Sequence, residues 1–275
     1  MSKPQDTVNV SNVDRSIDET QWIKIENVEK IYRPRRSEPT VAVTEFNLTV
    51  KRGEFISIVG PSGCGKTTML NLLAGIGGDY EGTLTIAGHK VDGPLPEVGM
   101  VFQAATLLPW RSILDNVLVP AQVQKLDKAI HLEKAKELIS MVGLDGFEDK
   151  YPFELSGGMQ QRAGICRALI NSPAVLLMDE PFGALDAMTR EYMNLELLRI
   201  WNESQQTIVL VTHSIPEAVF LSNRVVVMSP RPGRIAEIID IDLPDQRDFS
   251  VMSLPKVGEH ISHIRSYFNG ANVID

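Results

Sequence analysis

The sequence feature that most limits the possible folds is a glycine-rich loop that follows an apolar run. The loop reads Gly60-Pro61-Ser62-Gly63-Cys64-Gly65-Lys66-Thr67-Thr68, and the run before it is Phe55-Ile56-Ser57-Ile58-Val59. The pattern Gly, four residues, Gly-Lys-Thr is typical of a phosphate-binding loop between a strand and a helix. Its glycines let backbone N–H groups point inward, the helix adds the positive end of its dipole, and Lys66 adds a mobile charge.

This loop therefore predicts an α/β fold that binds a di- or triphosphate. The alternative is a glycine-rich turn beside a solvated lysine. It is disfavoured because an apolar strand-like run precedes the loop and a helical segment follows it.

Composition narrows the class of protein further. The chain has 275 residues, of which 43% are hydrophobic, and this is enough for one large domain or two small ones with a sizeable core. A net charge of -8 argues against a nucleic-acid partner, and the densest basic run, residues 33–36, contains a proline and predicts a solvated loop.

Two cysteines do not suggest a disulfide framework, so we expect a reducing compartment such as the cytosol. Without an apolar run of about 18 residues, the chain is expected neither to be secreted nor to span a membrane on its own.

The first half of the chain is expected to be rich in strands. Residues 1–21 are polar and predict a flexible leader, and regular structure is expected to begin at Trp22. Strand-like patterns then occur at residues 22–28, 41–50, 82–88 and 98–102. Residues 104–170 differ, because they contain an amphipathic helical pattern at 129–142 and predict a helical subdomain inserted between strands.

The second half predicts a parallel sheet. Two unbroken apolar runs, residues 174–178 and 207–212, suit strands that are buried on both faces, and a helix over 187–204 would join them. Two short strands are expected at 225–228 and 235–239. In the tail, residues 241–275, the apolar spacing predicts a short amphipathic helix after Pro255, which either packs on its own domain or contacts a partner.

Polar side chains follow several of these strands, where a parallel sheet is expected to bind its ligand. Asp179 and Glu180 end one strand, Gln103 follows another, and His213 follows a third. Asp179 and the Thr67 hydroxyl are expected to hold Mg²⁺, and Glu180 is placed to polarise a water molecule. A lone histidine or glutamine at a strand end is more often structural, but several strand ends that converge on one phosphate group favour a catalytic site.

A second anion-binding geometry lies in residues 155–162, which we call the signature segment. It reads Leu155-Ser156-Gly157-Gly158-Met159-Gln160-Gln161-Arg162, so a hydroxyl and two glycines stand at a helix start. With the phosphate loop, the signature segment makes the chain resemble the ATP-binding subunits of ABC transporters over about residues 22–238. Met159 at the fifth position departs from the commonest form of this motif, in a way that is usual among importer subunits.

The resemblance implies a P-loop NTPase core, a mixed sheet with a parallel RecA-like part and an antiparallel β-subdomain, carrying the helical signature subdomain at about residues 104–170. It implies that ATP is bound with Mg²⁺, that Tyr32 stacks on adenine, and that Gln103 contacts both Mg²⁺ and the membrane partner. It further implies that Glu180 is the general base, that Lys66 and His213 act on the phosphates, and that residues 184–186 cross a dimer. The residues that would contact ATP or Mg²⁺ are Tyr32, Gly60, Pro61, Ser62, Gly63, Cys64, Gly65, Lys66, Thr67, Thr68, Gln103, Asp179 and, from the second copy, Ser156, Gly157, Gly158 and Gln160.

Two further stretches narrow the resemblance to the importers of nitrate, sulfonates and taurine. They are residues 107–117, which begin Leu107-Leu108-Pro109-Trp110, and residues 228–235, which contain Pro230-Arg231-Pro232-Gly233. The implied partners are a second copy of the chain, an integral membrane permease and, indirectly, an extracytoplasmic solute-binding protein. The implied location is the cytoplasmic face of the inner membrane. Trp110 either contacts the permease or packs within the helical subdomain.

Two other functions use the same loop. A soluble ABC ATPase that works on ribosomes or DNA usually carries two cassettes or long insertions. A P-loop kinase or GTPase would lack the signature segment, and a guanine-reading Asn-Lys-x-Asp motif is absent from this sequence.

Finally, Cys64 lies close to Lys66 at a helix N-terminus, which predicts a lowered thiol pKa. We therefore expect that alkylation of this thiol blocks ATP binding.

Overall fold

The computed structural model describes residues 18–35 and 38–268. The predicted leader, residues 1–21, therefore lies outside the described residues except for its last four, where Glu19–Gln21 form a short 3-10 helix. The described chain folds into two sheets with helices on both sides of the larger one, as the α/β prediction required. None of the described helices is both long enough and apolar enough to cross a membrane.

The larger sheet has six strands, and the phosphate loop follows one of its central strands. Its order is β10-β9-β3-β8-β7-β6, with all neighbours parallel except β10 and β9. The strands are β3 (Phe55–Val59), β6 (Val98–Val101), β7 (Val175–Asp179), β8 (Thr207–Val211), β9 (Arg224–Met228) and β10 (Ile235–Asp240). Every residue of β3, β7 and β8 is buried, which explains why those segments are unbroken apolar runs rather than alternating patterns.

The smaller sheet is antiparallel, with the order β2-β1-β4-β5. It contains β1 (Ile23–Tyr32), β2 (Thr40–Val50), β4 (Glu81–Ile86) and the two-residue strand β5 (His89–Lys90), which the sequence did not predict. The helix α1 (Lys66–Leu73) lies between the two sheets and buries Met69, Leu70 and Leu73 in a core that both sheets share. The helix that follows the phosphate loop is thus fixed on two sides.

A helical subdomain packs beyond the opposite face of the large sheet. It comprises α2 (Ile113–Val117), α3 (Val119–Val123), α4 (Lys128–Met141) and α5 (Gly157–Leu169), and its apolar side chains share one core with Val101, Met178 and the helix α6 (Ala187–Ser204). The amphipathic helix expected at 129–142 is α4, shifted by one residue. The sequence missed α2 and α3, because they are five residues each and too short to show a periodic pattern.

The C-terminal part packs on its own domain, which is one of the two alternatives predicted for the tail helix. After α7 (Ile215–Leu221), which was not predicted, the chain reaches α8 (Pro255–Ser266), with Pro255 at its first position as expected. Val257 and Ile264 of α8 are buried in a core with Val59, Val219 and Val227. The buried guanidinium of Arg247 donates hydrogen bonds to the carbonyl oxygens of Phe220 (2.8 Å) and Ser222 (3.1 Å), so the tail caps the end of α7.

Candidate functional site

The predicted strand ends meet at one edge of the large sheet. In the register of the parallel strands, Asp179 of β7 pairs with Val211 of β8, while Val101 of β6 pairs with Met178. The residues that follow these ends, Gln103, Glu180 and His213, therefore come together beside the phosphate loop. All three line one cleft of about 810 Å³.

The tight turn of the phosphate loop requires glycine, because the neighbouring atoms leave no room for a side chain at two of its positions. Gly65 has a φ of 103°, and a Cβ there would lie 2.6 Å from Val43 Cγ2 and 2.9 Å from the Ala42 carbonyl oxygen. A Cβ on Gly60 would lie 2.8 Å from Cys64 Sγ. The loop is thus pressed against β2 on one side and filled by its own cysteine on the other, with its backbone left open to the cleft.

The charged and hydroxyl side chains of the loop are held in place by short contacts. Lys66, which is only 8% exposed, donates hydrogen bonds from Nζ to the carbonyl oxygens of Gly60 (2.8 Å) and Pro61 (3.1 Å). The Thr67 hydroxyl donates to Asp179 Oδ1 at 3.3 Å. Burial raises the pKa of the Asp179 carboxyl, against the opposing effect of the Thr67 hydrogen bond, so its charged form lacks full solvation.

Glu180 is the residue on which the other strand-end groups converge. Its Oε2 accepts a hydrogen bond from Gln103 Nε2 at 3.0 Å and lies 3.5 Å from His213 Nδ1. Its backbone has a φ of 46°, a left-handed conformation that is uncommon for a residue other than glycine, and its N–H donates to the Val211 carbonyl oxygen at 2.8 Å. The strained turn after β7 aims this carboxylate at the cleft rather than back along the strand.

Tyr32 lies at the mouth of the same cleft. Its ring is 43% exposed and its hydroxyl lies 3.4 Å from Thr68 Oγ1, so it is not a core tyrosine. Every predicted residue of the phosphate loop lines the cleft except Cys64, which lies beneath the loop. An exposed aromatic ring beside a phosphate cradle is suited to stacking on a nucleobase.

The signature segment lies elsewhere in the chain, since none of its residues lines the cleft. Ser156 caps α5 and accepts a hydrogen bond from the Met159 N–H at 3.3 Å, and Gly157 is open to solvent. A Cβ on Gly158 would lie 3.1 Å from Leu185 Cδ2, so the segment packs on the loop at 184–186. The Gln160 amide donates to the carbonyl oxygens of Pro152 (2.8 Å) and Leu155 (3.2 Å), which ties this side chain into its own subdomain.

The residues at the strand edge fit a magnesium ion. Thr67 and Asp179 offer oxygen ligands in contact with each other, and the side-chain oxygen of Gln103, whose amide nitrogen donates to Glu180, offers a third. Mg²⁺ prefers oxygen ligands and is usually held by one or two protein groups together with substrate phosphates. The partly desolvated Asp179 carboxylate would gain most from such a cation.

The prediction of a lowered thiol pKa at Cys64 is wrong, while the effect of its alkylation on ATP binding stays a prediction. Burial raises the pKa of its thiol, although the Lys66 charge acts in the opposite direction, and the side chain is fully buried. The sequence showed the charged neighbour and the helix N-terminus but not the packing: Gly60 and Gly233 both press on Cys64. Desolvation therefore outweighs the nearby charge.

Sequence reasoning also missed residues that line or support the cleft. Arg231, Arg265 and Phe268 line it from the β9–β10 loop and from the end of α8. Glu217 of α7 accepts a hydrogen bond from the buried Thr212 hydroxyl, next to His213, and burial raises its pKa. The sequence showed the motif that contains Arg231 and the apolar spacing of the tail helix, but only the fold brings these residues to the cleft.

Known proteins match both the sequence and the structure. Residues 43–183 match the model of a family described as ABC transporter. An uncharacterized ABC transporter ATP-binding protein of Methanocaldococcus jannaschii is 50% identical over 226 residues, which cover 82% of this chain and 84% of that protein. The aliphatic sulfonates import ATP-binding protein of Bacillus cereus is 41% identical over 87% of this chain and 94% of its own length. The taurine import ATP-binding protein of Escherichia coli O157:H7 is 47% identical over 72% of this chain and 78% of its own length.

Among solved structures, the fold is similar to that of a dimeric ATP-binding cassette in a post-hydrolysis state bound to ADP and phosphate. The TM-score is 0.73 at 33% identity, and the match covers 81% of this chain and all of that chain. About a fifth of this chain thus has no counterpart in that cassette.

The burial of both cysteines makes a testable prediction. We expect a thiol reagent such as DTNB to titrate close to none of the chain's two cysteines in the folded protein and both after denaturation, since burial raises the pKa of Cys64 and raises that of Cys166 to about 12. A raised pKa means less thiolate at neutral pH. The labelling rate should therefore rise only as the pH approaches the raised pKa values of the two thiols. Rapid labelling of one thiol per folded chain at pH 7, absent from a Cys64→Ala variant, would contradict this assignment.

Proposed function

Because the chain belongs to the ABC transporter family and is one of its ATP-hydrolysing subunits, we propose that it energises the import of a small solute through a separate membrane permease. The solute class we propose is an organic sulfonate, taurine, nitrate or a similar anion, which the names of the relatives and the motifs at residues 107–117 and 228–235 support. The observation that carries the proposal is the meeting of Lys66, Glu180 and His213 in one cleft beside the phosphate loop.

Each side chain in the cleft has a role that its contacts allow. The loop N–H groups and Lys66 bind the phosphates of ATP, and Tyr32 stacks on the base. Glu180 takes a proton from the attacking water, while Gln103 and His213 hold its carboxylate in position through their contacts with Oε2. Thr67, Asp179 and Gln103 are the groups that would hold Mg²⁺, which when bound neutralises charge on the phosphates.

The proposed active unit is a dimer in which each ATP lies between two copies. The single chain supports this arrangement, because the anion-binding signature segment is well formed and yet takes no part in the cleft of its own copy. A second copy would bring Ser156, Gly157 and Gly158 to the phosphates, with residues 184–186 packed behind them. The solved dimeric cassette of similar fold agrees with this assembly.

The proposed permease contact is formed by exposed aromatic side chains of the helical subdomain. Trp110 is 71% exposed, and Phe153, which is 76% exposed, stacks on Tyr151 with ring centroids 5.7 Å apart. The Trp110 loop is held by the buried Asn116, whose amide donates to the carbonyl oxygens of Leu108, Arg111 and Ser112. A rigid loop that presents an exposed indole is typical of a binding surface. The chain would then lie at the cytoplasmic face of the membrane as a peripheral subunit, with a solute-binding protein on the other side.

The general base is tested by Glu180→Gln. We expect ATP turnover to fall about 100-fold or more, the usual size of a lost general base, while ATP binding is retained, because the amide keeps the side chain's shape. The same substitution at the exposed Glu137 of α4 should leave turnover unchanged. Undiminished hydrolysis by the Glu180 variant would reject this role.

The shared site is tested by mixing two inactive variants. Lys66→Ala lacks a working phosphate loop and Ser156→Arg lacks a working signature segment, so each alone should be inactive. If the signature segment acts on the partner's ATP, mixed dimers contain one intact site, and an equal mixture should recover about a quarter of wild-type turnover. A mixture as inactive as its components would show that the two elements act within one chain.

The permease contact is tested by Trp110→Ala. The tagged wild-type chain, incubated with detergent-solubilised membranes of its own cell, should retain a polytopic membrane protein identifiable by mass spectrometry. Loss of a tryptophan that the proposed contact would bury should weaken this capture about tenfold or more, while turnover of the isolated chain stays unchanged. The control is Ile238→Ala, an exposed apolar residue on the edge strand β10. Equal capture by all three proteins would place the contact elsewhere.

A further inference from the structure

The end of the C-terminal helix α8 lies at the cleft, although it falls outside residues 43–183 that match the family. Arg265 and Phe268 line the cleft together with Lys66 and His213. Phe268 packs on the core formed by Val59 and α7, and its N–H donates to the Arg265 carbonyl oxygen at 2.9 Å. The helix, whose last residue is Ser266, therefore ends at the wall of the cleft, and Phe268 follows just after it.

This placement is built into the fold rather than left to a loose tail. Arg247 fixes the segment before α8 to the end of α7 through buried hydrogen bonds, and Phe249 stacks on Phe220 with ring centroids 4.6 Å apart. Along α8, Lys256 pairs with Asp242, and His263 Nε2 lies 2.8 Å from Glu237 Oε2. The basic groups that face β10 and the segment after it are thus matched by carboxylates.

Arg265 differs from these neighbours, as does Arg231. Within residues 18–35 and 38–268, neither guanidinium has a carboxylate within 4.0 Å, whereas Arg52, Arg199, Arg224 and Arg234 are each paired with a glutamate. Arg231 is held against the phosphate loop, because its Nε donates to the Gly63 carbonyl oxygen at 3.2 Å. Two arginines without a carboxylate partner thus line a cleft that already contains a phosphate cradle.

The charges of the cleft favour a polyanion. Its described lining contains three permanent cations, Lys66, Arg231 and Arg265, and one carboxylate, Glu180. In a chain with a net charge of -8, such a local excess of positive charge attracts anionic ligands. The planar guanidinium of arginine can donate forked hydrogen bonds to phosphate oxygens.

We propose that α8 is part of the nucleotide site, and that Arg265, assisted by Arg231, binds the phosphates of the ATP held by its own copy of the chain. This inference rests on the proposed ATP site and adds an element from the tail. The tail would then contribute to ATP affinity, and the phosphates would be bound by three separate segments: the phosphate loop, the β9–β10 loop and α8.

The test compares ATP binding by Arg265→Gln, Arg265→Lys and Lys256→Gln in the full chain. Calorimetry with EDTA present prevents turnover, and sedimentation identifies protein concentrations at which the chain with ATP stays monomeric. We expect Arg265→Gln to raise the Kd for ATP about fivefold, the size of one partly exposed charge-assisted hydrogen bond, with a smaller effect on AMP. Arg265→Lys should restore part of the affinity, since it keeps the charge. Lys256→Gln removes the same charge from the same helix but away from the cleft, and should stay within about twofold of wild type.

Three results would overturn the inference: an Arg265→Gln affinity equal to that of wild type, an equal loss for ATP and AMP, or a loss seen only at concentrations where the chain dimerises. The last result would place Arg265 at the contact between copies. Lys66→Ala separates this inference from the proposed function. If the wild type binds no ATP, or if Lys66→Ala binds it equally well, the ATP site itself is wrong and the role of Arg265 falls with it.

Discussion

The arrangement of the parallel strands is the constraint on which the rest of the structure depends. Five strands, β9, β3, β8, β7 and β6, run side by side in one direction, so their carboxyl ends meet at one edge of the sheet. Because every residue of β3, β7 and β8 is buried, this arrangement is held by the core and not by the polar groups themselves. The polar groups only have to follow their strands to reach the site. This explains how residues more than 100 positions apart, such as Thr67 and Asp179, come within hydrogen-bond distance.

The same constraint explains what the sequence could predict. Strand ends and helix periods are local patterns, and residues 187–204 were predicted with the bounds that α6 has in the structure. Lys66, Glu180, Gln103 and His213 were placed in one site because the rule that ligands bind at the carboxyl edge of a parallel sheet needs no side-chain detail. The resemblance to ABC subunits, now shown by the family match, agreed with that placement.

What the sequence could not predict depends on contacts between distant segments. The apolar spacing of residues 257–268 predicted α8 but not the surface it covers, since that surface is set by Arg247 and by the end of α7. The prediction of a lowered thiol pKa at Cys64 was wrong for the same reason. The sequence shows the neighbouring charge of Lys66, while the desolvation comes from a backbone approach by Gly233, nearly 170 residues away.

The contacts of Gln103 suggest how the proposed permease surface and the site of hydrolysis affect each other. Helix α5, which carries the signature segment, holds the chain on either side of Gln103: Gln161 donates to the Phe102 carbonyl oxygen at 2.9 Å, and Arg167 donates to the carbonyl oxygens of Ala105 and Thr106. A displacement of the helical subdomain would therefore move Gln103 relative to Glu180, and the 3.0 Å hydrogen bond between them would lengthen or shorten. Coupling of this kind is reciprocal in binding free energy. A permease that prefers one position of the helical subdomain must change the affinity of the cleft for ATP by the same factor by which ATP changes the affinity for the permease.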